Sequence, residues 1–189
     1  MPGWLLRFDG LYEPRYTDHG IATYGFVVHH GRRRIHEGCG VVVGPGQGGD
    51  ANVAEFGALI HGLTWLADTV GDAVRRCGLA IEGDNRLAIE TVAGRWNLHS
   101  EKLKPLRDRA RDLVEQLGGA ANVSLTKVSR ERNAEPDALT RQAYHEAKLE
   151  HPDWVTSKSG KRAARATKQP VGKAHKPAGK SIRRRRSKP

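Results

Sequence analysis

The sequence has few of the features that mark secreted, disulfide-bonded or membrane proteins. It contains two cysteines, Cys39 and Cys77, and neither stands in a CxxC or Cys/His spacing. This argues against a disulfide framework and a zinc site, so we expect two buried thiols in a reducing compartment. No apolar run reaches the roughly 18 residues of a membrane span, and the first residues do not resemble a signal peptide. We therefore expect a cytoplasmic protein with no membrane partner.

Acidic residues are missing from the C-terminal end of the chain. From Thr156 to Pro189 there are seven Lys, six Arg and no Asp or Glu. The formal net charge of +11 belongs to this segment, because the residues before it hold 19 basic and 21 acidic side chains. The segment also has almost no large apolar residues, so it cannot fold alone. We predict a folded domain over residues 1–150 and a disordered Lys/Arg-rich tail over residues 151–189, whose charge suits a polyanion.

The folded part combines short apolar strands with amphipathic helices. Periodicity predicts strands at 4–10, 21–30, 34–43, 79–83 and 122–128. It predicts helices at 52–68, 86–93, 103–117 and from Pro136 onward. Three strands followed by helices that alternate with two more strands indicate an α/β fold.

Four acidic residues stand at comparable places in this pattern. Asp9 and Asp84 end predicted strands, whereas Glu55 and Asp137 lie in the first turns of predicted helices. Ligands bind at the carboxyl edge of open α/β sheets, and we expect the four acids to converge there. Like charges that cluster require a cation, and Mg²⁺ pairs carboxylates with substrate phosphates. Two such ions about 3.5–4 Å apart activate water and stabilise the leaving oxygen in phosphodiester hydrolysis.

Each acid also has a simpler structural explanation. The Asp9-Gly10 pair is typical of a turn, and Asp84 is a suitable N-cap. Asn52 with Glu55 fits a capping box, and Asp137 would favour the dipole of its helix. Glu55 nevertheless shares a helical face with apolar residues within about 40°, which directs its carboxylate toward the sheet.

Four segments resemble the motifs of type 1 ribonuclease H, and most closely those of its short archaeal-like members. They are Phe8–Gly10, Asn52–Leu59, Glu82–Ile89 and Val128–Leu139. The resemblance covers about residues 4–148 and implies a ribonuclease H-like fold with a five-stranded mixed sheet flanked by helices. It further implies hydrolysis of the RNA strand of RNA–DNA hybrids, two Mg²⁺ or Mn²⁺ ions per site, and 5′-phosphate products.

The resemblance also assigns roles to individual residues. The residues that match the family's catalytic metal ligands are Asp9, Glu55, Asp84 and Asp137, with Asp9 bridging both ions. The residues that match substrate-binding positions are Asn52, Gly10, Asn85 and Asn133. Asn52 would contact the RNA strand, where the 2′-hydroxyl distinguishes RNA from DNA.

Three segments depart from the family's pattern. The loop Ser129–Arg132 lacks the His of many bacterial members, and Glu131 is our candidate for its role. Tyr12–Tyr16 replaces a glycine-rich loop, so substrate contacts there do not carry over. The basic protrusion of some bacterial members is absent near Trp96, which either packs or contacts the DNA strand.

Two other functions remain open at this point. One is a non-catalytic nucleic-acid-binding protein of the same fold, and the other is a related nuclease that acts on double-stranded RNA. Four intact acids favour an enzyme, because a pure binding protein has no use for acids where phosphates lie. A proofreading-type exonuclease fits less well, since it needs Asp-x-Glu in the first strand and residue 11 is Leu. We expect a monomer whose partner is an RNA–DNA hybrid.

Overall fold

The structure, a computed structural model, describes residues 3–14 and 20–154. These residues form five strands and four helices, which follow one another as β1 (Trp4–Glu13), β2 (Ile21–His30), β3 (Arg33–Val43), α1 (Ala51–Cys77), β4 (Leu79–Gly83), α2 (Arg86–Val92), α3 (Lys104–Gln116), β5 (Val123–Lys127) and α4 (Ala134–Glu150). Single 3-10 turns are found at Gly119–Ala121, Glu131–Asn133 and Pro152–Trp154.

The strands form one five-stranded mixed sheet in the order β3-β2-β1-β4-β5. The first three strands are antiparallel neighbours, whereas β4 pairs in parallel with both β1 and β5. The parallel pairing of β1 with β4 runs only from Trp4↔Leu79 to Arg7↔Glu82. The predicted α/β fold with a mixed sheet flanked by helices is thus confirmed.

Strand β1 is longer than the sequence predicts. We expected it to end at Gly10, but it continues to Glu13 and pairs there with Ile21. Asp9 therefore lies inside a strand, opposite Gly25, and not at a strand exit. It still faces an opening in the sheet, because it lies beyond Arg7, the last β1 residue that pairs with β4.

Neither of the two capping explanations holds in the structure. Asp50, not Asn52, caps α1, and its Oδ1 accepts a hydrogen bond of 2.9 Å from the Val53 amide. Asn85, not Asp84, caps α2 by accepting from the Ala88 amide at 3.0 Å. Helix α1 continues past the predicted end at residue 68, with a kink at Val70, where the backbone angles are not helical. The carboxylates of positions 55 and 84 are therefore not required as helix caps.

The helices cover both faces of the sheet. Alternate β1 residues Leu6 and Phe8 are fully buried against α1, together with Phe56 and Leu59. Burying side chains of this size contributes about 1.5–3 kcal/mol each. Helix α4 packs on the opposite side, against β2, β1 and β3. Asp9 alternates with Phe8 and so points toward α4.

The folded part continues beyond the boundary predicted at residue 150. The ring of Trp154 stacks on His151 with centroids 4.0 Å apart, and it packs against Gly44, where a Cβ would lie 3.2 Å from the indole. The remainder of the predicted tail lies outside the described residues. Within the described ranges no helix has the length and apolar character needed to cross a membrane.

Both cysteines are free thiols. Cys39 is half-buried, whereas Cys77 at the end of α1 is exposed, so the prediction of two buried thiols is wrong for Cys77.

Candidate metal centre

Three of the four predicted acids meet at the sheet opening. One carboxylate oxygen from each of Asp9, Glu55 and Asp84 lies within 4.8 Å of the other two. Among the described residues this is the one group of three or more acidic, His or Cys side chains close enough to share a metal ion. Strand β1, the first turn of α1 and the residue after β4 therefore supply one ligand each.

The group carries an electrostatic penalty that the charge of Arg130 offsets only in part. Burial, followed by the charges of Asp84 and Asp137, raises the pKa of Asp9 from 3.8 to about 7. Burial, followed by the charges of Asp9 and Asp84, raises the pKa of Glu55 well above its usual value. Both side chains are only 7% exposed, and Glu55 Oε2 is buried without a hydrogen-bond partner. A cation would satisfy that oxygen and relieve the repulsion.

The chemistry of the donors indicates which cation fits. All three donors are carboxylate oxygens, without a thiolate or an imidazole among them. Mg²⁺ and Mn²⁺ are bound by oxygen ligands of this kind, whereas soft or borderline ions select sulfur and nitrogen. The residues present therefore fit a hard divalent ion.

Glycine at position 10 lets two of the carboxylates come together. A Cβ built on Gly10 would lie 2.3 Å from the carbonyl carbon of Ala54 and from the amide nitrogen of Glu55. Strand β1 therefore touches the backbone of the first turn of α1, an approach that only glycine permits. This contact places Glu55 beside Asp9.

Asp137 lies near this group but not in it. Its carboxylate accepts hydrogen bonds from Arg130 Nη2 at 3.2 Å and from Arg141 Nε at 3.0 Å. The hydrogen bond from Arg141 is the main cause of its lowered pKa, and Arg130 adds to the effect. Asp137 is thus an ionised side chain paired with two arginines, although its charge still raises the pKa of Asp9.

Two predicted substrate-binding residues lie beside the carboxylates. The Nδ2 of Asn85 is 3.5 Å from the Oδ1 of Asn52, which connects the first turns of α2 and α1. Asn85 also hydrogen bonds to Glu55 and thereby moderates the rise in the pKa of that carboxyl. Both asparagines are partly exposed, so their amides can face a ligand.

Asn133 does not suit direct contact with a substrate. Its side chain has no exposed surface, and its Nδ2 donates a 2.8 Å hydrogen bond to the carbonyl oxygen of Phe8. Through this hydrogen bond, Asn133 links the 3-10 turn before α4 to β1, next to Asp9. Gly10 likewise has a packing role, through its contact with α1.

The sequence analysis missed the arginines beside Asp137. Glu131, our candidate for the role of the absent His, is fully exposed, and a hydrogen bond from Ser129 lowers its pKa. A carboxylate held ionised is a poor proton donor at neutral pH. The charge of Arg130, in the same loop, acts on Asp9 and Asp84 as well as on Asp137. Arg141 was detectable as a partner four residues after Asp137 on the same helix.

Trp96 remains available to a ligand. Its side chain is 42% exposed, and the guanidinium of Arg86 lies 4.9 Å from its ring centroid.

Comparisons with known proteins place this geometry in context. A family described as reverse transcriptase-like matches residues 9–143. The crystal structure of RNase H1 from the halophilic archaeon Halobacterium salinarum is 29% identical, with a TM-score of 0.64 over 76% of this chain and 98% of that one. The N-terminal RNase H domain of Rv2228c from Mycobacterium tuberculosis is 26% identical, with a TM-score of 0.62 over 79% and 99%. LC11-RNase H1 in complex with RNA/DNA hybrid shares the fold at 22% identity, with a TM-score of 0.65 over 76% and 98%.

Proposed function

This chain belongs to the reverse transcriptase-like family and has the fold of type 1 ribonuclease H, and from that premise we propose that it is a metal-dependent endoribonuclease that hydrolyses the RNA strand of RNA–DNA hybrids. The observation that carries the proposal is the convergence of Asp9, Glu55 and Asp84 within 4.8 Å. A protein that only bound nucleic acid would gain nothing from three acids placed where phosphates approach.

The carboxylates would act as metal ligands. Asp9, Glu55 and Asp84 would hold Mg²⁺ or Mn²⁺, and Asp137 would join them when a second ion is present. The bound ions would supply an activated water and stabilise the leaving oxygen, with 3′-hydroxyl and 5′-phosphate ends as the products. The burial of Asp9 and Glu55 keeps both oxygens pre-oriented and limits competing water around them.

The surrounding polar residues would recognise and hold the substrate. Asn52 and Asn85 border the carboxylates, and their amides can hydrogen bond to the RNA strand, including its 2′-hydroxyl. Arg130 is exposed beside Asp137, where a guanidinium can pair with a phosphate that approaches the ions. The structure of LC11-RNase H1 with RNA/DNA hybrid supports the choice of substrate by fold analogy.

Cleavage of labelled duplexes tests the proposal. RNA–DNA hybrid, double-stranded RNA and double-stranded DNA are each incubated with Mg²⁺, Mn²⁺ or chelator, and the products are resolved on a gel. We expect cleavage of the RNA strand of the hybrid with either ion, none with chelator, and none of double-stranded DNA.

Asp9→Asn is the control for this assay, because it keeps the size of the side chain and removes its charge. We expect this variant to bind the hybrid without cleaving it. Cleavage at the wild-type rate would refute the assignment, and a wild-type preference for double-stranded RNA would redirect it to that substrate.

A further inference from the structure

The first turn of α4, which carries Asp137, lies directly on the backbone of β2. A Cβ built on Gly25 would come 2.5 Å from the Pro136 carbonyl oxygen and 2.9 Å from the Thr140 amide nitrogen. These are backbone atoms, so a side chain at position 25 would force the helix away. Gly25 is also the cross-strand partner of Asp9. The contact therefore lies between the strand position that faces Asp9 and the turn that carries Asp137.

Thr140 makes the polar part of the same contact. It is fully buried, and its Oγ1 lies 2.8 Å from the Asp137 carbonyl oxygen and 3.4 Å from Asp9 Oδ2. Its own carbonyl accepts a buried hydrogen bond of 3.0 Å from the Thr23 hydroxyl of β2. One residue thus connects the helix turn to the strand and to the Asp9 carboxylate.

We propose that Gly25 and Thr140 are positioning residues, which hold α4 on β2 and β1 and so set how closely Asp137 approaches the group formed by Asp9, Glu55 and Asp84. The inference rests on the proposed metal-dependent function. An aspartate side chain is short, so the distance it spans is decided mainly by where its backbone lies. Shifts of about 1 Å in supporting residues are enough to impair such sites.

The arginines beside Asp137 explain why the position of α4 on the sheet matters. Asp137 is held by Arg130 and Arg141 on its solvent side, at 3.2 Å and 3.0 Å. If α4 moved outward, these exposed arginines could follow Asp137, whereas the carboxylates of the sheet could not. The ion pairs would then keep Asp137 out of reach of a metal ion shared with Asp9.

Removing the Thr140 hydroxyl tests whether Thr140 positions α4. Thr140→Val keeps the shape and loses the hydroxyl, and Thr140→Ser keeps the hydroxyl. We measure Mn²⁺ binding by calorimetry without nucleic acid, together with KM and kcat on the hybrid. We expect Thr140→Val to weaken Mn²⁺ binding roughly tenfold, the range for residues that orient metal ligands. Its kcat should fall at limiting Mn²⁺ with KM unchanged, and Thr140→Ser should behave as wild type.

A side chain at position 25 tests whether Gly25 allows the close approach of α4 to β2. Gly25→Ala should weaken Mn²⁺ binding more than Thr140→Val does, because the helix itself must move. Gly62→Ala is the matched control: its Cβ would lie 2.6 Å from Leu6 Cδ1, which crowds the core away from α4. It should lower the melting temperature and leave Mn²⁺ binding unchanged. If Gly25→Ala does not fold, the Thr140 variants decide the matter.

A double-mutant cycle shows whether Thr140 acts through Asp137. In the Asp137→Asn background, Thr140→Val should cost less Mn²⁺ binding than it does in the wild type, because only the direct contact of Thr140 with Asp9 is then lost. Wild-type binding by Thr140→Val, or an equal loss in the Asp137→Asn background, would overturn the proposal while leaving the nuclease function intact. A wild-type protein that binds Mn²⁺ but does not cleave hybrids would overturn the proposed nuclease function and leave the positioning role of Gly25 and Thr140 intact.

Discussion

The two parts of the acidic site are built in opposite ways. Asp9 and Glu55 are buried and have raised pKa values, and the half-buried Asp84 lies beside them and adds to the repulsion. Asp137 is partly exposed, and two arginines beside it lower its pKa. Arg130 offsets the repulsion in the first group only in part, so that group is suited to gain a cation, whereas Asp137 already pairs with two arginines. We therefore propose that the three-carboxylate group supplies most of the metal affinity and that Asp137 adds to it from the side.

The largest difference should appear in cleavage rates. Glu55→Gln removes a buried ligand with no substitute nearby, and we expect about a thousandfold loss of kcat, near 4 kcal/mol of barrier. Asp137→Asn should cost roughly ten- to a hundredfold, because the three-carboxylate group stays complete. Single-turnover cleavage of the hybrid at saturating Mg²⁺ measures both. Equal losses would remove the distinction between the two parts.

The two parts should also affect stability with opposite signs when metal is absent. Asp9→Asn relieves a buried like-charge cluster, and we expect it to raise the free energy of unfolding at pH 8 by about 2–4 kcal/mol. Asp137→Asn gives up partly exposed ion pairs and should lower it by about 0.5 kcal/mol. Urea unfolding in chelator checks both values. A less stable Asp9→Asn protein would contradict the repulsion described for the site.

The pH dependence of stability follows from the same shifts. In the folded protein Asp9 holds its proton up to about pH 7, while the unfolded chain releases it near 3.8. The folded state thus binds more protons in this window, so the contribution of Asp9 to stability declines as pH rises from about 4 to 7. Asp137, with its lowered pKa, contributes stability above its unfolded pKa and loses it as pH falls through the folded value. Urea unfolding of Asp9→Asn should show a smaller decline between pH 4 and 7 than the wild type, with the remainder coming from the raised pKa of Glu55.

The sequence predicts the elements and the three-carboxylate group better than it predicts their details. Asp9 was recognisable because an acid follows an apolar run. Its place inside a strand was not, because the extension to Glu13 depends on pairing with Ile21. Asp50 and Asn52 are both suitable caps, and only tertiary packing decides between them. The burial of Asn133 could not be predicted, because its neighbours in the sequence are charged. The pairing of Arg130 with Asp137 could not be predicted either, because it depends on the conformation of the turn before α4.

The basic tail should affect substrate binding and not the acidic site. Its 13 positive charges were read from the sequence, since the segment lies outside the described residues. Deletion from Thr156 onward should weaken hybrid binding, and most strongly at low salt. If the tail neutralises about six phosphates, its loss should flatten the log–log salt slope by about 5. KM measured across a salt series tests this, with unchanged Mn²⁺ binding as the control, and an unaltered KM at every salt concentration would refute it.

The central claim is that the carboxylates of Asp9, Glu55 and Asp84 form a site for a divalent ion, and Mn²⁺ titration by calorimetry without nucleic acid tests it most directly. We expect saturable binding by the wild-type protein, no measurable binding by Glu55→Gln, and retained though weaker binding by Asp137→Asn. Binding by Glu55→Gln that matches the wild type, or no binding by the wild type at millimolar Mn²⁺, would contradict the account.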